Sequence, residues 1–296
     1  MATRFSGANQ VVERQLTRIL EMIEAEMAAN CLVFYGPMIF GVDDAIRNAV
    51  EGLANISGKR RGLVFILETE GGYAEVVRRI SDALRHHYRV VDFLIPNHAM
   101  SAGTILVMSG DAIYMDYHSV LGPIDPQVEN QDGKLIPALG YLLQYQGLLD
   151  KANAGQISTA EMAILLDFDQ GNLYSYQQAR DLSVALLEEW LVKYKFKDWK
   201  VTATSRKKVT IAMKRARAKE IGDKLNDVKT WNSHGIGIGM ERLQRELNLK
   251  IDDFGETPEL SRCVRRYHTL LTDYMAKNRQ RAVVHTREAY TPLMAG

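Results

Sequence analysis

The 296-residue chain carries 37 Lys and Arg against 36 Asp and Glu, a formal net charge of +1, and 46% of its residues are hydrophobic. These values are ordinary for a globular protein and give no electrostatic reason to expect a nucleic-acid partner. The two cysteines, Cys31 and Cys263, match no metal or redox spacing, so we predict no metal site and no disulfide framework. We find no apolar run of membrane-spanning length and no secretory signal at the N-terminus, and we expect a cytoplasmic protein.

The first 127 residues predict helices that alternate with buried strands. Apolar residues spaced by three and four predict an amphipathic helix over residues 9–29. Continuous apolar runs predict strands at 31–35, 62–68, 90–95 and 112–115, and helices are predicted between them at 43–56, 73–87 and 104–108. Continuously apolar strands separated by helices indicate an α/β fold with a parallel sheet covered on both faces.

The second half of the chain has a different pattern. Long helical patterns at 135–152 and 159–195 predict a helical insertion at about 135–228, and a helix and a short strand at 240–251 close the core. We therefore expect one domain over residues 1–255 and a charged helical C-terminal extension over 256–296. The basic stretch 206–219 lacks interleaved aromatic residues, which favours a solvated helix face over a nucleic-acid site.

Two glycine-containing turns follow consecutive predicted strands. Gly71 and Gly72 end one strand, and Ser101-Ala102-Gly103 follows the next and opens a helix. Ligand sites lie at the carboxyl ends of parallel strands, and glycines let backbone N–H groups approach a reacting carbonyl closely. These residues therefore suit a serine nucleophile beside an oxyanion hole. The alternative is structural: a tight turn at the glycines and a helix N-cap at Ser101.

Three segments carry a family resemblance: ETEGGYAEVVRRISDALR at 68–85, IPNHAMSAGTILVMSGDAIYMD at 95–116 and HSVLGPIDPQ at 118–127. In this order they resemble the Clp protease/signal peptide peptidase A group of serine peptidases, and within it the serine dehydrogenase proteinase branch. The segment 234–251 is similar to the family's closing element. The resemblance implies a crotonase-like fold, Ser101 as nucleophile, and an oxyanion hole formed by the N–H groups of Gly72 or Gly71 and of Ala102.

One residue in the oxyanion turn departs from the family pattern. Glu70 stands where the family has Pro, and a carboxylate that pointed inward would oppose developing negative charge. We expect the Glu70 side chain to point away from the reacting centre.

The general base has two candidates. The histidine position of Clp proteases falls near Pro123, so the Ser-His-Asp arrangement is absent in its usual order. Signal peptide peptidase relatives use a lysine, which favours Lys151, whereas the Gly-rich closing element favours His234. The alternatives are an exposed helix-end lysine and a loop histidine. Asp125 could orient a base, although Asp before Pro is also ordinary turn chemistry.

The resemblance implies an ATP-independent serine endopeptidase that cleaves peptides or polypeptides through an acyl-enzyme, and no cofactor is implied. A catalytically silent scaffold and an acyl-CoA-processing enzyme of the crotonase type are the alternatives. We also expect a homo-oligomer, because the amphipathic patterns at 9–29 and 159–195 offer apolar faces beyond the needs of one core. A regulatory protein partner is a further possibility.

Overall fold

The computed structural model describes residues 7–55, 62–125, 127–129, 135–202, 205–227, 231 and 235–293. Its helices are α1 (Ala8–Met27), α2 (Val42–Ala54), α3 (Ala74–His87), α4 (Ala102–Val107), α5 (Ala138–Asn153), α6 (Thr159–Asp167), α7 (Gln170–Trp190), α8 (Ile211–Leu225), α9 (Met240–Leu247) and α10 (Pro258–Lys277). A π-helical turn, Leu191–Lys195, extends α7, and a 3₁₀ turn, Phe254–Glu256, precedes α10. Within these ranges, no helix is both long and apolar enough to cross a membrane.

The strands form a central sheet, a small sheet and a hairpin. They are β1 (Asn30–Tyr35), β2 (Gly62–Glu68), β3 (Val90–Leu94), β4 (His98–Ala99), β5 (Ile113–Met115), β6 (Val120–Leu121), β7 (Gln127–Glu129), β8 (Leu135–Pro137), β9 (Ile238–Gly239), β10 (Asp252–Asp253), β11 (Ala282–His285) and β12 (Tyr290–Leu293). The central sheet has the order β10-β5-β3-β2-β1-β11-β12, and the small sheet has the order β4-β6-β9. The neighbouring strands from β10 to β1 are parallel, which confirms the predicted α/β sheet.

Apolar side chains cover both faces of the central sheet. Strand β2 shows why: Leu63, Phe65 and Leu67 belong to the core under α2, α3 and α7, whereas Val64 and Ile66 belong to the core under α1 and α10. Alternate residues of a strand point to opposite faces, so a strand that is buried on both faces needs apolar residues at every position. This requirement explains the continuous apolar runs in the sequence.

The C-terminal segment differs from the predicted helical extension. Helix α10 forms as expected, but β11 then pairs antiparallel with β1, and β12 pairs with β11. Residues 282–293 are thus part of the central sheet. The sequence AVVH at β11 is too short to separate a strand from a helix by periodicity, and only its pairing with β1 makes it a strand.

The apolar face of α1 is used within the chain. Its buried residues Leu16, Ile19, Leu20 and Ile23 have helical spacing and pack in one core with residues of α10. The sequence predicted this face as a contact between copies of the chain. Because it is buried within one chain, it is not available for assembly.

Candidate active site

The two predicted turns lie side by side at the carboxyl end of β2. Thr69 continues β2 and pairs with β4: its N–H donates to the His98 carbonyl at 3.1 Å, and its carbonyl accepts from the Met100 N–H at 2.9 Å. This pairing places the turn that contains Gly71 against Ser101, as the sequence predicted from the parallel sheet.

Glycine is required at both positions of the turn. Gly71 has φ +102°, and a Cβ there would lie 2.8 Å from the Ser101 Cβ and 2.9 Å from the Met100 carbonyl oxygen. Gly72 has φ +146°, and a Cβ there would lie 2.2 Å from the Met38 carbonyl oxygen. The Met38 backbone holds the turn through hydrogen bonds with Gly71 and Tyr73 at 2.8 and 2.9 Å. Only residues without a side chain fit between the segment of Met38 and Ser101.

Ser101 has a backbone conformation that L-residues rarely adopt. Its φ is 49° and its ψ is −117°, at the junction between β4 and α4. An N-cap residue normally has extended backbone angles and accepts a helix N–H with its side chain, but the Ser101 side chain makes no such bond. Ser101 therefore occupies the N-cap position of α4 without capping the helix through its side chain. Strained residues of this kind concentrate at functional sites.

Two backbone N–H groups beside Ser101 have no protein acceptor among the described residues. The Gly71 N–H is already used, since it donates to Thr69 Oγ1 at 3.0 Å. The N–H groups of Gly72 and Ala102 make no such bond, and Ala102 is the first residue of α4, where a helix leaves its N–H groups unpaired. These groups can serve as donors to a ligand oxygen.

Ser101 opens onto a cleft of about 700 Å³ between the glycine turn and helix α7. The described residues that line this cleft are Pro37, Ile39, Glu70, Gly71, Gly72, Tyr73, Ala74, Glu75, Met100, Ser101, Ala102, Ile105, Ile124, Ser175, Tyr176, Ala179, Leu182, Ser183 and Gly235. The wall is mostly apolar and is large enough for several residues of an extended peptide.

The charged residues that line the cleft, in the part of the chain that the structure describes, are Glu70 and Glu75. Glu70 is exposed, and its carboxylate lies 3.1 Å from His98 Nε2, so it is directed at His98. Tyr176 lines the cleft from α7, and burial, with smaller contributions from Tyr141 and Asp169, raises its pKa. Tyr176 therefore stays protonated at neutral pH and can donate a hydrogen bond.

The structure does not bring Lys151 to Ser101. Lys151 lies near the end of α5, its side chain is 53% exposed, and it forms an ion pair with Glu161 of α6. The hydrogen bond from the Lys151 ammonium is the main cause that lowers the pKa of Glu161 to about 2. A lysine can act as a general base only when it is unprotonated and close to the hydroxyl. The Ser101–Lys151 dyad stays a prediction to which this structure adds no support.

His234 lies outside the described residues. Gly235, the next residue in the sequence, lines the cleft. Asp125 is buried and directly follows Ile124, which also lines the cleft. Among the described residues, no lysine or histidine lines the cleft.

Sequence reasoning missed two parts of this site. It did not identify Thr69, whose hydroxyl holds the Gly71 N–H, and it did not place α7 over Ser101. A threonine after a strand has no distinctive signal. Helix α7 carries no motif, and its position is visible only from its packing against α3, α4 and α8.

Comparison with known proteins supports a family assignment. The family model described as ClpP-like SDH-type serine proteinase matches residues 3–259. Two proteins of Methanocaldococcus jannaschii are similar: Uncharacterized protein MJ1495, 31% identical over 121 residues, and Uncharacterized protein MJ0137, 29% identical over 145 residues. These matches cover 40% and 46% of this chain, and 40% and 49% of the relatives' own lengths.

One solved structure is also similar to this chain. It is that of a mutant of the 1510-N membrane-bound stomatin-specific protease, with 12% identity and a TM-score of 0.43, over 77% of this chain and 81% of that one.

Proposed function

Because the chain belongs to the ClpP-like SDH-type serine proteinase family, we propose that it is a serine endopeptidase with Ser101 as its nucleophile. The observation that carries this proposal is the strained turn at Ser101, which opens onto a cleft beside the N–H groups of Gly72 and Ala102, for which the described residues offer no acceptor. A nucleophile next to two convergent donors is the arrangement that acyl transfer requires.

The chemistry follows from these positions. Ser101 Oγ attacks the peptide carbonyl carbon while a base takes the hydroxyl proton, and the carbonyl oxygen becomes an oxyanion that accepts from Gly72 and Ala102. Collapse breaks the C–N bond, and the protonated base gives its proton to the leaving amine. Water then attacks the acyl-enzyme by the same route and restores the serine. No step uses ATP.

We assign the base to His234 in preference to Lys151. Gly235 lines the cleft and is joined to His234 by one peptide bond, whereas Lys151 is exposed and paired with Glu161. An ordinary imidazole pKa of about 6.5 suits proton transfer near neutral pH without strong burial. The buried Asp125 is the proposed orienting residue for the imidazole.

The substrates that fit this cleft are peptide segments in extended conformation. Proteases of the ClpP-like type act on peptides and are typically oligomeric, and we extend both properties to this chain. The buried face of α1 packs against α10, whereas helices α5, α6 and α7 carry six exposed apolar residues: Tyr141, Leu143, Met162, Ile164, Leu166 and Tyr174. This surface is the proposed contact between copies, and a regulatory protein partner would bind there as an alternative.

Active-site labelling tests the function. A fluorophosphonate probe should label the protein at Ser101, and Ser101→Ala should abolish both labelling and peptide hydrolysis, with a loss of about 10⁶-fold in kcat. The matched control is Ser109→Ala, which should keep labelling. Ser109 is buried just after α4, and its hydroxyl donates to the Leu106 carbonyl. Hydrolysis that survives in Ser101→Ala would exclude this nucleophile.

A further inference from the structure

The charge of the chain is distributed unevenly. Eleven of its 37 Lys and Arg residues lie between Lys193 and Lys219, where Asp198 is the single acidic residue. The rest of the chain holds 26 Lys and Arg against 35 Asp and Glu, a net charge of −9. A local excess of positive charge on a nearly neutral protein favours a positive potential over the surface where the cations lack counter-charges.

A tight hairpin formed by residues 200–202 and 205–209 displays part of this charge. Val201 and Lys208 form an antiparallel bridge, and the N–H groups of Thr202 and Val209 donate to the carbonyls of Lys207 and Lys200, each at 2.9 Å. The Thr202 hydroxyl accepts from the Lys207 N–H at 3.0 Å, and Val209 is buried at the base of the hairpin. The cations are therefore held on a defined frame.

Among the described residues, the cations of this hairpin and Arg215 of α8 have no ion-pair partner. The exposed residues Lys200, Arg206, Lys207, Lys208 and Arg215 form no ion pair within the part of the chain that the structure describes. Neighbouring cations differ in this respect, since Lys197 pairs with Asp111 and Lys219 pairs with Asp223. Like charges so close together repel one another, and an anionic partner would remove that repulsion.

Exposed aliphatic side chains stand among these cations. Val201 is 48% exposed and lies opposite Lys208, so the two side chains share one face of the hairpin. Ile211 is 59% exposed at the start of α8, one helical turn before Arg215. Aliphatic groups beside lysine and arginine suit the boundary between lipid headgroups and acyl chains. Single-stranded nucleic acids instead select aromatic side chains on which bases stack.

We infer that the basic hairpin, defined as residues 200–202 and 205–209 with the first two turns of α8, binds the surface of an anionic phospholipid bilayer. Lys197, three residues before the hairpin, pairs with Asp111, which lies two residues before β5, so the hairpin is near the amino end of that strand. Ser101 lies at the carboxyl end of β2. In a parallel sheet the amino ends and the carboxyl ends of the strands lie on opposite sides, so a bilayer under the hairpin would leave the cleft facing the solvent.

Vesicle sedimentation with the full chain tests this inference. Binding is expected to vesicles of phosphatidylcholine with about 30 mol % phosphatidylserine, and not to pure phosphatidylcholine. The triple variant Lys200→Gln, Lys207→Gln, Lys208→Gln should lower the partition coefficient by about 100-fold, roughly fivefold for each cation. The double variant Val201→Ser, Ile211→Ser should also lower it at unchanged charge, and thermal unfolding would verify that each variant is folded.

The matched control removes the same charge elsewhere. Arg18, Arg78 and Arg266 are exposed on α1, α3 and α10, and their replacement by Gln should leave vesicle binding within about twofold of the wild type, because distant charges are screened. Equal losses in both triple variants, or no binding to anionic vesicles, would overturn the inference. Binding to a duplex DNA oligonucleotide would also overturn it, provided that the hairpin triple variant loses this binding and the Val201→Ser, Ile211→Ser variant keeps it. That result would identify a nucleic-acid surface.

Discussion

Ser101 combines a strained backbone with a side chain that does not cap its helix. A residue in such a conformation costs about 1–3 kcal/mol and persists only where its neighbours over-determine it. Here the neighbours are Gly71 on one side and the buried Ala102 on the other. The strain aims the hydroxyl at the cleft before any substrate arrives, and this is the preorganisation that a nucleophile needs.

The contact of Gly71 with Ser101 predicts a selective loss of catalysis. In Gly71→Ala the new methyl group would overlap the Ser101 Cβ and the Met100 carbonyl, so the nucleophile must shift. A displacement of about 1 Å can reduce the rate by about 100-fold, and we expect that fall in fluorophosphonate labelling. Gly52→Ala is the control, because nothing lies within 4 Å of its Cβ in α2. Normal labelling of Gly71→Ala would contradict the close packing at Ser101.

The base is tested by two substitutions assayed across pH. His234→Ala should slow acylation of Ser101 by about 10²- to 10⁴-fold. It should also remove the fall in acylation rate below about pH 6.5 that protonation of a histidine base would cause. Lys151→Met should acylate normally, because Lys151 is exposed and paired with Glu161. The reverse result would establish the lysine dyad in place of His234. Normal acylation by both variants would mean that neither residue is the base.

At the scale of elements, the site depends on segments that are distant in the sequence. Strand β2 supplies the glycine turn, β4 and α4 supply Ser101, and α7 covers the cleft.

The insertion that contains α7 also exposes apolar side chains: α6 has no buried residue, although Met162, Ile164 and Leu166 lie on it. An apolar helix without a buried face is marginal in water and is typical of an interface.

Helix α6 therefore carries the prediction about assembly. Light scattering at micromolar concentration should give the mass of an oligomer, and Ile164→Lys with Leu166→Lys should raise the dissociation constant tenfold or more, since each buried aliphatic side chain contributes about 1.5–3 kcal/mol. Leu166 is 78% exposed in the single chain, so the variant should fold normally. Val11→Lys on α1 is the matched control and should keep the wild-type mass. A monomeric wild type would exclude this assembly.

At the scale of the whole molecule, a buried histidine links stability to pH. His285 of β11 lies between Tyr267 Oη at 2.5 Å and Thr17 Oγ1 at 3.3 Å, and burial lowers its pKa to about 4. The unfolded chain, with a histidine pKa of about 6.5, binds a proton that the folded chain excludes. This contribution to stability is complete above about pH 6.5 and is lost as pH falls toward 4.

Urea unfolding measures the size of this effect. Between pH 7 and pH 5 the free energy of unfolding should fall by about 2 kcal/mol from His285 alone. His285→Gln should remove that part of the fall, because glutamine does not titrate. His86→Gln, at an exposed position on α3, should keep the wild-type dependence. The same dependence in His285→Gln as in the wild type would show that other groups cause it.

The sequence by itself determined the parallel core and the pair of turns at its carboxyl edge. Both are local properties: strands buried on two faces must be apolar throughout, and the turns at Gly71 and Gly72 need residues without Cβ. Motif similarity added the proposed role of Ser101 as nucleophile. Only the tertiary structure decided that β11 is a strand and that α10 packs against α1. It also decided that α7 lines the cleft and that Lys151 pairs with Glu161. These depend on contacts between residues far apart in the chain, which local periodicity does not encode.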